Sequence, residues 1–351
     1  METVFISKLK PLLDALAETM ELYVPQKSGE HYVFRRYEAG SGEAAELNNV
    51  RACTPAKEFL FPMRELAARS PGPLELKEVK PFGVFGLKEC DINSIRILDK
   101  VFREDEFEDP LYKSRREKMF IIATDCSEPG DSCFCNLFDG KGYADGGFDL
   151  NVSKIKDGFI IETGSSRGRD FVDSRGTLFA DVPEALLAER KANRAKVLAA
   201  LEEKNGEMQF EGSIKEIVEG SWESEVFDEQ AKNCIECQAC TRVCPTCHCF
   251  YLYDAKQQDY FTKMKIWDSC MRFSYAAVAG GENPRKVLGE RMKHRLMHKF
   301  VYFLERYGVN MCVGCGRCVD ADAGGMDLRE ILKRLNEEYK DKDKEEAKAA
   351  K

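Results

Sequence analysis

The sequence predicts an α+β protein, in which a mixed α/β amino-terminal domain is followed by an α-helical domain. In the first half, the apolar runs over residues 80–90 and 120–126 have the composition of buried strands. Between them, residues 92–102 carry apolar side chains at helical spacing. In the second half, the apolar residues around several cysteines recur at helical spacing and do not alternate. The 351 residues are enough for both domains.

The amino-terminal elements follow from local patterns in chain order. The first is a surface helix whose apolar face carries Phe5, Leu9, Leu12, Leu13 and Leu16. Residues 32–37 are predicted to form a strand, residues 55–62 a loop and residues 63–68 a short helix. The strands over 80–90 and 120–126 each deliver a cysteine to their carboxyl end.

A connecting helix over residues 183–203, followed by Asn205-Gly206, indicates the domain boundary. We predict an α/β domain over residues 1–205, a helical domain over 206–340 and a charged tail over 341–351.

Composition limits the class of protein. A hydrophobic fraction of 43% is ordinary for a globular chain, and no apolar run approaches the roughly 18 residues of a membrane span. The net charge of −8 disfavours generic binding to nucleic acid. The chain has 15 cysteines, but residues 1–20 lack the pattern of a secretory signal peptide. We therefore expect a cytoplasmic protein without a nucleic-acid partner.

Residues 234–249 hold the densest group of cysteines. Two residues separate Cys234 from Cys237 and Cys237 from Cys240, and Cys244 follows just before Pro245. In two-cluster ferredoxins, three thiolates at this spacing bind one cubane iron–sulfur cluster and the fourth reaches the other cluster. The spacing therefore predicts iron–sulfur ligation.

A second, incomplete copy of this pattern lies downstream. Cys312, Cys315 and Cys318 repeat the spacing, but Asp322 stands where a fourth cysteine is expected and Ala323 where a proline is expected. A structural zinc site also uses paired C-x-x-C motifs, but neither the triplet nor the Cys-Pro pair is typical of it. Two clusters are therefore favoured over a zinc scaffold.

Four more thiols lie at strand ends or in one short loop of the first half. Cys90 and Cys126 end the two predicted strands, and Cys133 and Cys135 follow a Pro-Gly turn. This arrangement suits a third cluster, but buried structural thiols explain it equally well because free cysteine is often buried. The isolated Cys53 is interpreted as structural.

The segment after the first cysteine run adds further candidates. Cys247, Cys249 and Cys270 have no assigned partner in the spacing pattern. Residues 285–299 form a basic stretch with apolar residues in helical register, which either exposes a solvated face or brings cations close to cluster sulfurs. His294 and His298 lack the glutamate of an H-E-x-x-H site, so no metal is expected there.

The motifs together resemble one family. They are Cys90-Asp91, Asp125-Cys126, Cys133-Phe-Cys135, Cys244-Pro-Thr-Cys247-His-Cys249, Trp267-Asp-Ser-Cys270 and Cys312-Val-Gly-Cys315-Gly-Arg-Cys318. From about residue 55 to 330 the chain is similar to the iron–sulfur beta subunit of cytoplasmic sulfhydrogenases, a family that also includes one of the subunits of anaerobic sulfite reductase.

The resemblance implies an α-helical ferredoxin domain with two [4Fe-4S] clusters whose ligands cross between the runs. Cys234, Cys237 and Cys240 would share one cluster with position 322, and Cys312, Cys315 and Cys318 would share the other with Cys244. Asp322 departs from the family pattern, which leaves three alternatives for the first cluster. The carboxylate ligates its fourth iron, or that iron is lost to leave a [3Fe-4S] centre, or Cys247, Cys249 or Cys270 completes the site. The first two outcomes are favoured.

The resemblance also implies a function. Subunits of this family pass electrons between a flavin- and NAD(P)-binding partner and a catalytic subunit, hydrogenase-like or sulfite-reductase-like. We therefore expect an electron-transfer subunit without catalytic residues of its own. The alternative is an iron–sulfur subunit that itself reduces a sulfur substrate at an open iron site.

Overall fold

The computed structural model describes residues 2–40, 47–74, 78–210 and 212–349. Contacts divide the chain into two units. The first unit comprises Met1–Phe61, Leu74–Glu203 and Val313–Cys315. The second comprises Pro62–Pro73, Lys204–Cys312 and Gly316–Lys351.

Eleven strands are described in these ranges. They are β1 (Thr3–Ile6), β2 (Glu21–Ser28), β3 (His31–Tyr37), β4 (Arg64–Ser70), β5 (Phe82–Leu87), β6 (Met119–Thr124), β7 (Leu150–Ile155), β8 (Gly158–Thr163), β9 (Ala180–Asp181), β10 (Phe250–Lys256) and β11 (Phe261–Trp267).

The helices are α1 (Leu9–Thr19), α2 (Lys57–Leu60), α3 (Glu89–Phe102), α4 (Pro110–Lys118), α5 (Ser166–Ser174), α6 (Glu184–Lys204), α7 (Ile214–Gly220), α8 (Val226–Ala231), α9 (Ala239–Arg242), α10 (Leu288–Met297), α11 (Phe303–Tyr307), α12 (Arg317–Asp320) and α13 (Leu328–Ala349). A π-helical turn, His298–Tyr302, joins α10 to α11. Among the described helices, none is long and apolar enough to cross a membrane.

The first unit is built on an eight-stranded mixed sheet of order β3-β2-β5-β6-β7-β8-β1-β9. Strands β2, β5, β6 and β7 are parallel to their neighbours in this part of the sheet. All residues of β5 and β6 are buried, which explains their continuous apolar runs. Because parallel strands end at the same edge, the chain after β5 and the chain after β6 emerge side by side there.

Helix α1 covers part of this sheet. Its predicted apolar face is confirmed for Leu9, Leu12, Leu13 and Leu16, which are buried in the core with residues of β2, β6 and β8. Phe5, assigned to the same face from the sequence, belongs instead to β1 and pairs with Ile160 of β8. The predicted strands near residues 32–37, 80–90 and 120–126 and the helix over 92–102 are all present.

The second unit is helical apart from one small sheet of order β10-β11-β4. The α+β class is confirmed, but the prediction of a helix over residues 63–68 is wrong because Arg64–Ser70 pairs as strand β4 with β11. Within this sheet, Glu65 Oε1 and the Lys265 ammonium lie 2.5 Å apart and both side chains are buried. A pairing between segments so distant in sequence overrides the local helix preference of Leu66, Ala67 and Ala68.

The carboxyl-terminal helix is longer than the sequence suggests. Residues 341–349 of the predicted tail continue α13, and residues 350–351 lie outside the described part of the chain. The connecting helix predicted over 183–203 is α6.

Candidate metal centres

The first unit brings the four thiols predicted for a third cluster to one cavity. Cys90, Cys126, Cys133 and Cys135 line it, and Cys315 contributes a fifth cysteine. The remaining wall includes Lys88, Glu89 and Arg51. The cavity therefore combines cysteines with two cationic side chains.

The ends of two parallel strands position the first two thiols. Cys90 lies in the first turn of α3, directly after β5, and Cys126 follows β6. Lys88 is 1% exposed, and its ammonium donates to the carbonyl oxygens of Asn48 (2.6 Å) and Asp125 (2.9 Å). Lys88 thereby ties the chain before Cys90 to the chain before Cys126.

The carboxylate of Asp125 also fixes the end of β6. It accepts hydrogen bonds from Ser153 Oγ at 2.7 Å, from Asn151 Nδ2 at 3.0 Å and from Arg194 Nε at 2.7 Å. These partners belong to β7 and α6. The main-chain N–H of Cys126 in turn donates to the carbonyl of Gly142 at 2.8 Å. The position of the Cys126 thiol is therefore set by the sheet and by α6.

The loop after the sheet supplies the other thiols. Arg51 donates to Ser132 Oγ at 2.9 Å and lies 3.6 Å from Cys133 Sγ. The N–H of Phe134 donates to the carbonyl of Gly314 at 2.9 Å. Gly314 has φ +60°, and a Cβ there would lie 2.4 Å from the carbonyl oxygen of Phe134. This close approach brings Cys315 to the cavity, which the sequence spacing does not predict.

The surroundings of this cavity disfavour unligated thiolates. Burial raises the pKa of Cys126 to about 12, partly offset by Lys88. Burial also raises the pKa of Cys135, and Cys133 and Cys126 raise it further. Closely spaced buried thiols of this kind fit a positively charged metal group, which favours their deprotonated form.

The second unit contains a cavity at the start of the first cysteine run. Cys234, Cys240 and Cys318 line it together with Asp322 and Arg295, and the rest of the wall is mainly apolar, from Met271, Met292, Met326, Leu328 and Ile331. Burial raises the pKa of Cys240 to about 11, Arg295 lowers it, and Cys318, Asp322 and Cys234 raise it. Cys237 is exposed and lies near Cys234. The sequence predicts Cys234, Cys237, Cys240 and Asp322 for this site but not Cys318.

Two buried cations lie among the cysteines of the second unit. Arg295 donates to the carbonyl of Cys240 at 3.5 Å. Burial alone would lower the pKa of Arg295, but the deprotonated forms of Cys240, Cys318, Cys247 and Cys270 raise it. Along the basic stretch 285–299, Arg291, Arg295 and Lys299 are buried, whereas Lys286 is exposed. The prediction of a solvated helix face therefore applies to only part of this stretch.

Lys299, in the π-helical turn, lies beside Cys244 of the first cysteine run. Its ammonium is 3.4 Å from Cys244 Sγ and 3.3 Å from Thr246 Oγ1. Burial would lower the pKa of Lys299, but Cys244, Cys247 and Cys312 raise it above its ordinary value. The buried Lys299 ammonium therefore contacts Cys244 directly and is influenced by the charges of Cys247 and Cys312.

Cys249 and Cys270 form a third grouping in this unit. Tyr275 donates its hydroxyl to Cys249 Sγ at 3.7 Å. Burial raises the pKa of Cys270 to about 12, and Cys249 makes the second largest contribution to this increase. Nearby, the rings of His294 and His298 stack with centroids 6.2 Å apart. Cys53 is exposed, apart from these groups.

In the described ranges, no three cysteine, histidine, aspartate or glutamate side chains converge tightly enough to chelate a single ion. The thiols instead surround cavities with buried cations and, in the second unit, an apolar wall. Soft thiolate donors with nearby positive charge suit iron–sulfur clusters, whose charge and potential depend on such surroundings.

Comparisons with known proteins identify the family. Residues 233–326 match the model of the 4Fe-4S dicluster domain family. Over 329 residues, the chain is 32% identical to sulfhydrogenase 2 subunit beta of Pyrococcus furiosus, covering 92% of this chain and 94% of that subunit. The chain therefore belongs to the sulfhydrogenase beta subunit family and is an iron–sulfur subunit of a redox enzyme with [4Fe-4S] clusters.

Proposed function

We propose that the chain relays electrons between two cytoplasmic partners, a flavin- and NAD(P)-binding reductase subunit on one side and a catalytic subunit, hydrogenase-like or sulfite-reductase-like, on the other. The observation that carries this proposal is the grouping of thiols around buried cations in both units. A [4Fe-4S] cluster, when bound, takes up or releases one electron at a time. Several such sites along one chain suit a relay.

The ligand sets follow from the groups of thiols and from the motif. Cys90, Cys126, Cys133 and Cys135 would hold a third cluster in the first unit. Cys234, Cys237 and Cys240 would hold another with a fourth ligand from the second run, at Asp322 or Cys318. Cys244 and Cys312 belong to the remaining cluster, for which the motif also provides Cys315 and Cys318.

The other residues of the sites have electrostatic and positioning roles. Lys88, Arg295 and Lys299 place positive charge beside the thiolates, which stabilises the more negative, reduced form of each site. Asp125, Arg194 and Gly142 hold Cys126 in place. Catalysis at a substrate is left to a partner subunit.

The proposal is tested on the native complex, purified anaerobically through this chain. We expect flavin and a second redox subunit to co-purify, and NAD(P)H to bleach the visible cluster absorption in the complex. The isolated full-length chain should be reduced by dithionite but not by NAD(P)H. The relay is contradicted if the isolated chain, given reduced viologen, turns over sulfite or a disulfide, because the chain is then itself the reductase.

A further inference from the structure

The first cavity of the second unit offers one more ligand than a cubane cluster uses. Cys234, Cys240, Cys318 and Asp322 line it, and Cys237 lies beside Cys234. A [4Fe-4S] cluster has four protein ligands. Since the triplet supplies three of them, Cys318 and Asp322 compete for the fourth.

Asp322 already has a structural role in the turn that follows α12. Its Oδ1 accepts hydrogen bonds from the N–H of Gly324 at 2.9 Å and from the N–H of Met326 at 3.2 Å. A Cβ on Gly324 would lie 2.1 Å from the carbonyl oxygen of Asn233, so this turn packs tightly against the residue before Cys234. While Oδ1 keeps these hydrogen bonds, only Oδ2 could bind an iron, so the turn restricts the orientations open to the carboxylate.

Cys318 has the better chemistry for the fourth position. It lies on α12 and lines the same cavity as Cys234 and Cys240. Soft thiolates are the preferred ligands of iron–sulfur clusters, whereas carboxylates suit harder ions.

We propose that Cys318 supplies the fourth thiolate of the cluster held by Cys234, Cys237 and Cys240, and that Asp322 is a positioning residue that caps the following turn. This inference rests on the proposed function, since both require clusters. As each Fe–S bond forms, the thiol releases its proton to solvent.

The assignment has a consequence for the second cluster. Cys318 can complete only one site, so the set that contains Cys244 and Cys312 needs another thiolate. Cys247 meets this need because, like Cys244 and Cys312, it is buried in the second unit. It also stands in C-x-x-C spacing with Cys244. Cys247 therefore takes the place in the second cluster that the motif gives to Cys318.

The test compares full-length holoprotein variants prepared anaerobically. Cys318→Ser should lose iron and yield a three-iron EPR signal or no signal from that cluster. Asp322→Asn keeps the Oδ1 acceptor and should retain the iron, the sulfide and the EPR spectrum of the unaltered chain. Asp322→Ala should lower the melting temperature, with rescue by Asn. Cys53→Ser is the control for loss of an exposed thiol.

Two results would overturn the assignment. One is a Cys318→Ser protein with unchanged iron content and EPR spectrum, and the other is loss of iron in Asp322→Asn. Should Cys318→Ser fail to fold, Asp322→Cys gives a second readout. We expect the midpoint potential of this variant to equal that of the unaltered chain, whereas a shift would show that position 322 supplies a ligand. If the unaltered chain carries no acid-labile sulfide, the proposed function fails instead.

Discussion

The ammonium of Lys299 lies 3.4 Å from Cys244 Sγ, and the lysine residue is 2% exposed. A full positive charge is thus held in the protein interior by cysteine sulfur. Thr246 Oγ1, 3.3 Å from the ammonium and 3.2 Å from Cys244 Sγ, completes this contact. The arrangement places a buried positive charge beside a candidate ligand, where it acts on the reduction potential.

Replacing Lys299 by Met should therefore lower the midpoint potential of the cluster nearest Cys244. Loss of the positive charge favours the oxidised form, because reduction adds a negative charge to the site. The measurement is EPR on samples poised at known potentials. The matched control is Lys286→Met, since Lys286 is exposed and pairs with Glu282. Equal potentials in Lys299→Met and the unaltered chain would show that this lysine does not tune the cluster.

The amino-terminal cavity gives a second prediction. Cys126→Ser should lower the iron content by about four atoms per chain, because one thiolate of a cubane site is lost. The Cys53→Ser variant should keep its iron, since Cys53 is exposed and away from the cavity. Iron and acid-labile sulfide analysis distinguishes the two. Full iron content in Cys126→Ser would mean that these cysteines are structural.

The small sheet of the second unit gives a third prediction. Lys265→Met should destabilise the protein by about 3–5 kcal/mol, because it leaves the carboxylate of Glu65 buried without its cation. The double variant Glu65→Leu/Lys265→Met should recover most of this loss. Urea denaturation of the unaltered protein, each single variant and the double variant measures the effect. Additive losses in the double variant would contradict a buried pair between β4 and β11.

The sequence predicts those elements whose cause is local. The strand, turn and helix that present Cys90 are evident because the apolar run of β5 changes directly to the helical spacing of α3. The apolar run of β6 likewise predicts the strand that ends just before Cys126. Strand β4 was not predictable, because its residues favour a helix and only the pairing with β11 makes them a strand.

The candidate site was predictable in composition but not in grouping. Spacing identifies the thiols, yet it assigns Cys315 to the second run, whereas Cys315 lines the cavity with Cys90 and Cys126. Gly314 and Gly316, with φ of +60° and +73°, are the local feature that permits this path. Spacing likewise gives no sign that Cys318 shares a cavity with Cys240, since the contact depends on how α12 packs.

Metal and sulfide analysis of the full-length chain, prepared without oxygen, tests the central claim most directly. The ligand groups predict about eight irons and eight sulfides for the carboxyl-terminal clusters, and about four more of each for the amino-terminal cavity. Reduction by dithionite should then produce EPR signals of [4Fe-4S] clusters. A colourless protein that contains zinc and no acid-labile sulfide would contradict the account.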